Sequence, residues 1–412
     1  MANPRIIPAL ADLTQDIAGP VPVGLLQDWA AGRQDAAAAQ SLLDPFRIEG
    51  TVVASDTSGL SKLTDEMDLV KVISIISRPK EILHALGVEV GGRAIGQWVA
   101  DNTEMYYPSS VVPAEVVQAM WETQQRIAAR CAVRIGMCIH SGGFYEIGGG
   151  LYGPDADAVE RLAEDHARGD EILVTQQFRS ELAGEDFSFV ERNDLETIFP
   201  PGVHTISRAK GRPDLLETRS EYPHAFTDEF VQMLHAIDGA PDPEAAIRDI
   251  YARYLRAVAV VFLSRYRPQA EGNVASMLDD LLTNALLETI VREKNPESHL
   301  VMCGGSIALL IFNDVGEALD FALDIRSGFV RNDLPVKIGI DYGAILFFER
   351  SDGSKNLVGD PVNISSKISE DAGQPGRIAL TARAAGLLPR DLGNAEPFNV
   401  TISKVSISGY ML

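Results

Sequence analysis

The sequence is poor in cysteine, in basic runs and in long apolar stretches, and each shortage excludes a class of protein. Three cysteines without a Cys-x-x-Cys pair in 412 residues argue against a disulfide framework or a cysteine-ligated metal. Apolar segments such as 258–263 and 308–312 are far shorter than the roughly 20 residues of a membrane-spanning helix, so we expect buried strands there. Cys131, Cys138 and Cys303 lie in apparent strands, where a free thiol behaves as a small buried hydrophobe. A formal charge of −22 without a basic run disfavours nucleic acid, although a divalent cation could screen a small nucleotide.

The length of the chain predicts two domains of about 150 to 200 residues with a connector. We expect a helical N-terminal extension over 1–45, a first domain over 46–220, a connector over 221–254 and a second domain over 255–412. The connector contains three prolines around a helical run, TDEFVQMLHAI. The N-terminus lacks the charged region and apolar stretch of a secretory signal, so we expect a cytoplasmic protein without a membrane partner.

An internal repeat organises the chain. Residues 151–175 align with 357–381 without a gap. Upstream, 132–143 matches 335–344 if two residues are inserted in the first copy, and an even insertion keeps the two faces of a strand in phase. A further match relates 51–63 to 258–270. Each copy alternates strands with longer helical patterns, which predicts an α/β or α+β domain with one sheet face covered by helices.

The motifs in these copies resemble the catalytic domain of class III adenylate and guanylate cyclases, over most of 46–220 and 255–412. The loop DTSGL at Asp56 is similar to the family's Asp-Ile-x-Gly-Phe motif, and VGDPVNISSK is similar to its Val-Asn-x-Ala-Ser-Arg helix. The resemblance implies two ferredoxin-like domains that form a head-to-tail pseudo-dimer within one chain, with a nucleoside triphosphate substrate between them. It leaves further oligomerisation open.

The resemblance also implies a metal site in the first domain, formed by Asp56, Thr57 and Asp101. Asp101 follows Asp56 by 45 residues, where the family places its second metal aspartate, although Ala100 replaces the preceding glycine. Carboxylates suit two Mg²⁺ or Mn²⁺ ions, which prefer oxygen ligands. Each aspartate alone fits an ordinary loop or turn; together, in the repeat, they indicate two-metal chemistry.

Further substrate contacts are expected beside this metal site. The loop Thr57, Ser58, Gly59 and Leu60 could offer backbone N–H groups to phosphate oxygens. Arg134 matches the arginine of the family's Arg-x-Gly motif, which contacts the triphosphate. An ordinary charged strand residue is the alternative for Arg134.

The second copy lacks the metal aspartates, since Ser264 stands where Asp56 does and Gly305 where Asp101 does. The resemblance implies that Asn363 orients the ribose and that Lys367, in place of the family's arginine, stabilises the transition state. A lysine supplies charge without the bidentate fork of an arginine. Lys404 is similar to a triphosphate-binding lysine. The alternatives are a helix N-terminal role for Asn363 and a solvated strand position for Lys404.

The base-reading positions by resemblance are Val301 and Asn356, which match neither the adenylate nor the guanylate pattern. Three hypotheses follow: a cyclase for another base, a purine cyclase with relocated contacts, or a pseudoenzyme that binds without turnover. Bacterial pyrimidine cyclases of anti-phage signalling systems are similar divergent members, so UTP is the leading candidate substrate. A second, metal-less pseudo-site would include Asp157, Arg161 and Arg212 and should be catalytically inactive.

Overall fold

The computed structural model divides the chain into two compact units. The first domain comprises Leu43–Ala225, and the second combines Met1–Leu42 with Phe226–Leu412. The structure describes the following residues: 21–58, 67–96, 98, 102–182, 186–196, 199–218, 222–224, 226–237, 240–266, 273–294, 299–304, 307–389, 391–402 and 405–412. Within these residues, no helix is long and apolar enough to cross a membrane.

From residue 21 onward, the described part of the N-terminal segment contains two short helices, α1 (Val23–Ala31) and α2 (Ala36–Leu43). The first domain then contains one mixed sheet, in the order β2-β3-β1-β4-β6-β8-β7, with β5 paired to β4. Its strands are β1 (Arg47–Ser58), β2 (Arg93–Ala94), β3 (Thr103–Pro108), β4 (Arg134–Ile147), β5 (Gly150–Tyr152), β6 (Ile172–Thr175), β7 (Ser188–Glu191) and β8 (Val203–Arg208). Its described helices are α3 (Leu69–Glu89), α4 (Pro113–Arg130), α5 (Pro154–Arg161), a π-helical turn (Leu162–His166) and α6 (Gln176–Glu181).

The second domain contains an equivalent sheet, in the order β10-β11-β9-β12-β14-β16-β15, with β13 paired to β12. Its strands are β9 (Leu255–Arg265), β10 (Leu300–Gly304), β11 (Ile307–Phe312), β12 (Val336–Glu349), β13 (Lys355–Val358), β14 (Ile378–Thr381), β15 (Glu396–Ile402) and β16 (Val405–Met411). Its described helices are α7 (Asp228–Ile237), α8 (Pro243–Tyr254), α9 (Val274–Lys294), α10 (Val315–Arg331), α11 (Asp360–Glu370) and α12 (Ala382–Ala385).

Local sequence signals explain where several of these elements begin. Asp68 precedes α3, and its carboxylate accepts a hydrogen bond from the backbone N–H of Val70. Asp314 caps α10 in the same way. A proline opens α4, α5 and α8, where its missing N–H would have no helical partner in any case.

The register of the two sheets shows which residues of the two copies are equivalent. One row across the first sheet contains Glu104, Ala54, Cys138 and Leu173 on β3, β1, β4 and β6. The matching row of the second sheet contains Leu309, Phe262, Gly339 and Ala379. The gapless repeat independently aligns Leu173 with Ala379, so the two rows are equivalent.

This register corrects two details of the sequence alignment. Thr51 corresponds to Ala259, one residue later than the match of 51–63 with 258–270 implies. Asp56 pairs with Gly136, and its equivalent Ser264 pairs with Lys337. The same spacing then leads from Gly136 to Gly142 and from Lys337 to Gly343. No two-residue insertion is therefore needed between these strands. The similar RIG and KIG motifs are offset by two positions, which preserves the strand faces and hides the shift from sequence comparison.

Helices pack on both faces of each sheet, whereas we had expected one covered face. In the first domain, alternate residues such as Val53 and Met105 pack under α3 and α4. The intervening residues, including Val52 and Cys138, pack under α5 and the π-helical turn. Because helices cover both faces, the centre of β1, from Thr51 to Ser55, is buried throughout.

The cysteines are free thiols, as expected. Cys138 and Cys303 lie in strands β4 and β10, but Cys131 directly follows helix α4 rather than lying in a strand. Burial raises the pKa of the Cys138 thiol, which is fully inaccessible and therefore inert.

Candidate functional site

Asp56 lies near the end of β1, on the sheet face that α5 covers. It shares this face with Val52 and Ala54, since alternate residues of a strand point the same way. Its cross-strand neighbour is Gly136, and Ala163 of the π-helical turn packs on the same face. The residue opposite Asp56 in the sheet therefore has no side chain, and the helical layer on this face includes the small Ala163.

The equivalent place in the second domain is filled by polar side chains. Ser264 and Ser369 share a hydrogen bond of 2.7 Å between their hydroxyls, and Ser369 corresponds to Ala163 in the gapless repeat. The Ser369 hydroxyl also lies 3.2 Å from the carbonyl of Lys337, to which it can donate. This position has a serine in place of the carboxylate, and its hydroxyl is hydrogen-bonded to Ser369.

The second expected metal ligand, Asp101, lies outside the described residues. The same holds for Gly59, Leu60 and Lys404, which were expected to contact phosphate, and for Gly305, the counterpart of Asp101. Within the described part of the chain, no group of three or more His, Cys, Asp or Glu side chains is arranged to hold a metal ion. Asp56 supplies the oxygen ligand type that Mg²⁺ and Mn²⁺ prefer, so the one described member of the pair fits the expected ions.

The residues beside Asp56 differ in their orientation. Thr57 is 4% exposed and points to the opposite face, where its cross-strand neighbour is Ile135. Ser58 is exposed at the end of β1, opposite Arg134. Of these two residues, only Ser58 has its side chain on the same sheet face as Asp56.

Arg134 is occupied by contacts within its own domain. Its guanidinium donates to the carbonyl of Cys131 at 2.9 Å and to that of Ala128 at 3.3 Å. Its Nε lies 3.1 Å from Oδ1 of Asp170. The side chain thus stabilises the C-terminal end of α4, and a phosphate would have to compete with these partners.

Asn363 and Lys367 lie together on α11. The helix buries Pro361, Ser365 and Ile368 against the sheet. Asn363 and Lys367 are four residues apart and project from the opposite side, with Asn363 exposed and Lys367 partly buried. The structure therefore places both on one accessible helix face, as the spacing predicted.

Val301 and Asn356 lie on β10 and β13, which contact each other without pairing, but in different surroundings. Val301 packs against an apolar cluster that includes Phe262 and Leu357. Asn356 pairs with Phe348, which packs on three aromatic rings of the 226–254 segment. The Asn356 side chain is 8% exposed, and its Nδ2 has no hydrogen-bond partner in the described part of the chain.

Two residues of the expected pseudo-site, Arg161 and Arg212, have different partners within the first domain. Asp157 and Arg161 of α5 are the equivalents of Asn363 and Lys367 in the gapless repeat. The Arg161 guanidinium lies 5.3 Å from the centre of the Phe199 ring. Arg212 pairs with Asp214 through a hydrogen bond of 3.0 Å.

Sequence reasoning missed an acidic cavity of about 290 Å³ in the first domain. Its lining includes Ala54, Ala156 and Ala163, together with the carboxylates of Glu104, Glu160 and Glu164. Burial, reinforced by the nearby Glu160, raises the pKa of Glu104 to about 7. The sequence does contain a relevant difference, because small or acidic residues of the first copy stand where the second copy has apolar ones. This difference can be recognised only when the strand register shows which positions are equivalent.

The fold and these positions define a tandem pair of α+β domains, of which one carries Asp56 and the other carries Asn363 and Lys367. No protein-family model and no curated protein matches the chain. Among solved structures, the chain is similar to a class III adenylyl cyclase-like ATP-binding protein from Pseudomonas aeruginosa, with 14% identity and a TM-score of 0.48 over 83% of this chain and 85% of that one.

Two further similarities each cover less than half of the chain. The adenylyl cyclase CyaB from P. aeruginosa is 14% identical with a TM-score of 0.36, covering 41% of this chain and 98% of that one. The guanylate cyclase domain of RhGC from Catenaria anguillulae, in complex with GTP, is 12% identical with a TM-score of 0.34, covering 40% and 99%. At these identities and TM-scores, the similarities do not establish a family for the chain.

Proposed function

We propose that this protein is a nucleotidyl cyclase that converts a nucleoside triphosphate, with UTP as the leading candidate, into a 3′,5′-cyclic nucleotide and pyrophosphate. The supporting observation is the asymmetry of the duplicated sheet. Asp56 is a carboxylate opposite Gly136, whereas its equivalent Ser264 lies opposite Lys337 and is hydrogen-bonded to Ser369. The sequence motifs divide between the two domains in the complementary way, with Asn363 and Lys367 in the second.

The first domain would hold the cations and the phosphates. Asp56 and Asp101, with Thr57, would bind two Mg²⁺ or Mn²⁺ ions, which supply activation of the ribose 3′-oxygen and neutralisation of the triphosphate. The segment from Thr57 to Leu60 would present backbone N–H groups to phosphate oxygens. Arg134 would join them after exchanging its bond to Asp170 for the triphosphate.

The second domain would position the nucleoside and stabilise the transition state. Asn363, exposed on α11, would orient the ribose through its amide. Lys367, one turn further on the same face, would place a positive charge near the transferring phosphorus. Lys404 would add a second cation for the triphosphate. This division of roles requires pairing of the two domains, which is part of the proposal.

The choice of UTP in this proposal rests on the resemblance, because Val301 and Asn356 match neither the adenylate nor the guanylate pattern. A buried amide N–H that lacks an acceptor costs about 1–3 kcal/mol, and the Nδ2 of Asn356 is such a group. Every nucleobase carries an acceptor, so this amide does not select between a pyrimidine and a purine. The resemblance to bacterial pyrimidine cyclases extends the proposal to synthesis of a second messenger in anti-phage defence.

A pseudo-cyclase that binds nucleotide without turnover is the alternative that one observation favours. Arg134 is held by the end of α4 and by Asp170, and Lys367 replaces an arginine. A purine cyclase with relocated base contacts is the third hypothesis, and the same assay separates all three.

The test is incubation of the purified chain with ATP, GTP, CTP or UTP and Mn²⁺, followed by mass spectrometry of the products. We expect cyclic UMP and pyrophosphate from the native chain and no cyclic product from Asp56→Asn. Asp165→Asn, an exposed carboxylate of the π-helical turn, is the matched control. Lys367→Arg should raise turnover and Lys367→Ala should lower it.

The outcomes separate the hypotheses. Cyclic AMP or cyclic GMP as the main product would establish the purine alternative. Nucleotide binding without any cyclic product would establish the pseudo-cyclase. Unchanged turnover in Asp56→Asn would refute the proposed metal site.

A further inference from the structure

The acidic cavity of the first domain lies where the second domain has three packed apolar side chains. Ala54 and Glu104 are neighbours across β1 and β3, and their equivalents are Phe262 and Leu309. Ala156 of α5 corresponds to Val362 of α11. In the second domain, Phe262, Leu309 and Val362 pack into one apolar cluster. The same fold thus fills this place with hydrocarbon in one copy and leaves about 290 Å³ open in the other.

The cavity has the polarity of a site for a cation. Glu104 is partly buried, and its carboxylate forms no hydrogen bond or ion pair within the described residues, which is an unfavourable state for a carboxylate. Glu160 and Glu164, from the helical layer above, add negative charge, and none of the described residues that line the cavity is basic. Ala54, Ala156 and Ala163 give the cavity an apolar wall as well, which suits an organic cation better than a bare metal ion.

A second residue that lines the cavity has an unsatisfied polar group. Trp98 is 2% exposed and lines the cavity, and its indole Nε1 has no hydrogen-bond partner among the described residues. The indole N–H is a donor and needs an acceptor atom. A ligand that combines a positive charge with an oxygen acceptor would therefore satisfy both Glu104 and Trp98.

We propose that this cavity binds a small organic cation, a protonated amine on a compact apolar body with an oxygen acceptor, with Glu104 as its counter-ion. The alanines form the apolar wall, and the carboxylates select the charge. The proposal does not depend on cyclase activity, because every residue that it uses belongs to the first domain.

Calorimetric titration with three phenols of matched size tests this proposal: tyramine, the neutral tyrosol and the anionic 3-(4-hydroxyphenyl)propanoate. We expect tyramine to bind at pH 8 at least about tenfold more tightly than the other two, which corresponds to one charge-assisted hydrogen bond. Glu104→Gln should weaken tyramine binding at least about tenfold, while Asp165→Asn should leave it unchanged. Ala54→Phe, which introduces the side chain found in the second domain, should abolish binding.

The pH dependence is a separate readout. Glu104 gains charge as the pH rises through about 7, so tyramine affinity should increase from pH 6 to pH 8 in the native chain and stay level in Glu104→Gln. The other titratable groups among the described residues that line the cavity are Glu160 and Glu164 of the helical layer and Tyr152 of β5, and burial raises the pKa of the Tyr152 phenol above its usual value of 10, so it stays neutral from pH 6 to pH 8. Absence of tyramine binding, equal binding of tyrosol, or native affinity in a folded Glu104→Gln variant would each overturn the proposal. If that variant is unfolded by circular dichroism, the tyramine–tyrosol comparison on the native chain decides.

Discussion

Neutralising Glu104 should make the first domain more stable at neutral pH, and by an amount that depends on pH. Burial and Glu160 raise the pKa of this carboxyl from 4.5 to about 7 in the folded chain. The folded state therefore retains a proton that the unfolded state loses, so the free energy of unfolding falls as the pH rises from about 4.5 to about 7. At about 1.4 kcal/mol for each pKa unit, ionisation of Glu104 costs about 3 kcal/mol above pH 7.

Glu104→Gln removes this cost because the amide does not ionise. Below pH 4.5, the difference in the free energy of unfolding between the variant and the native chain should not depend on pH. By pH 8 this difference should have moved by about 3 kcal/mol in favour of the variant. Urea unfolding at pH 4.5 and pH 8, followed by tryptophan fluorescence, measures this change. In a Trp29→Phe background the remaining tryptophans, Trp98 and Trp121, both belong to the first domain.

The control and the refuting result are specific. Asp165→Asn removes an exposed carboxylate from the same region and should change the pH 4.5-to-pH 8 difference by less than about 0.5 kcal/mol. A relative gain below about 0.5 kcal/mol for Glu104→Gln, or a relative loss, would show that the carboxylate is not destabilised by its surroundings.

Two further substitutions test the packing of the second domain by thermal or urea unfolding. Arg383→Ala should cost about 3 kcal/mol, because it leaves the fully buried Asp341 with only the Thr381 hydroxyl, at 2.6 Å, as a described partner. The control Lys294→Ala breaks a surface pair with Asp324 and should cost less than about 1 kcal/mol. Equal costs for the two variants would contradict the argument. Trp29→Ala should cost about 3–5 kcal/mol, since this 1% exposed side chain packs α1 onto α9 and donates to Oδ1 of Asp279 at 2.8 Å. Trp29→Phe retains a ring and should cost less, and a neutral Trp29→Ala would refute the docking of α1.

Much of the fold was predictable because its signals are local. The β-branched runs at 51–55 and 258–263 form the central strands β1 and β9, and the helical run in the connector forms α7. The gapless match of 151–175 with 357–381 corresponds to the same strand–helix–strand unit in both domains. The position of Asn363 and Lys367 on one helix face followed from their spacing alone.

Other features depended on pairing between distant strands. Local similarity aligned Arg134 with Lys337, whereas the register aligns Gly136 with Lys337. A shift of two residues preserves the inward and outward faces of a strand, so periodicity cannot detect it. The contacts of Arg134 with the end of α4 were equally invisible, since they depend on how the helix meets β4.

The sequence by itself determined the duplication, the order of elements and the unequal distribution of Asp56, Asn363 and Lys367 between the two copies. Only the tertiary structure decided which residues of the copies are equivalent across the sheet. That register sets Ala54 and Glu104 against Phe262 and Leu309, and so leaves a cavity in one domain. The reason is physical: propensity and periodicity act within one segment, whereas packing volume depends on side chains from strands and helices that are far apart in the chain.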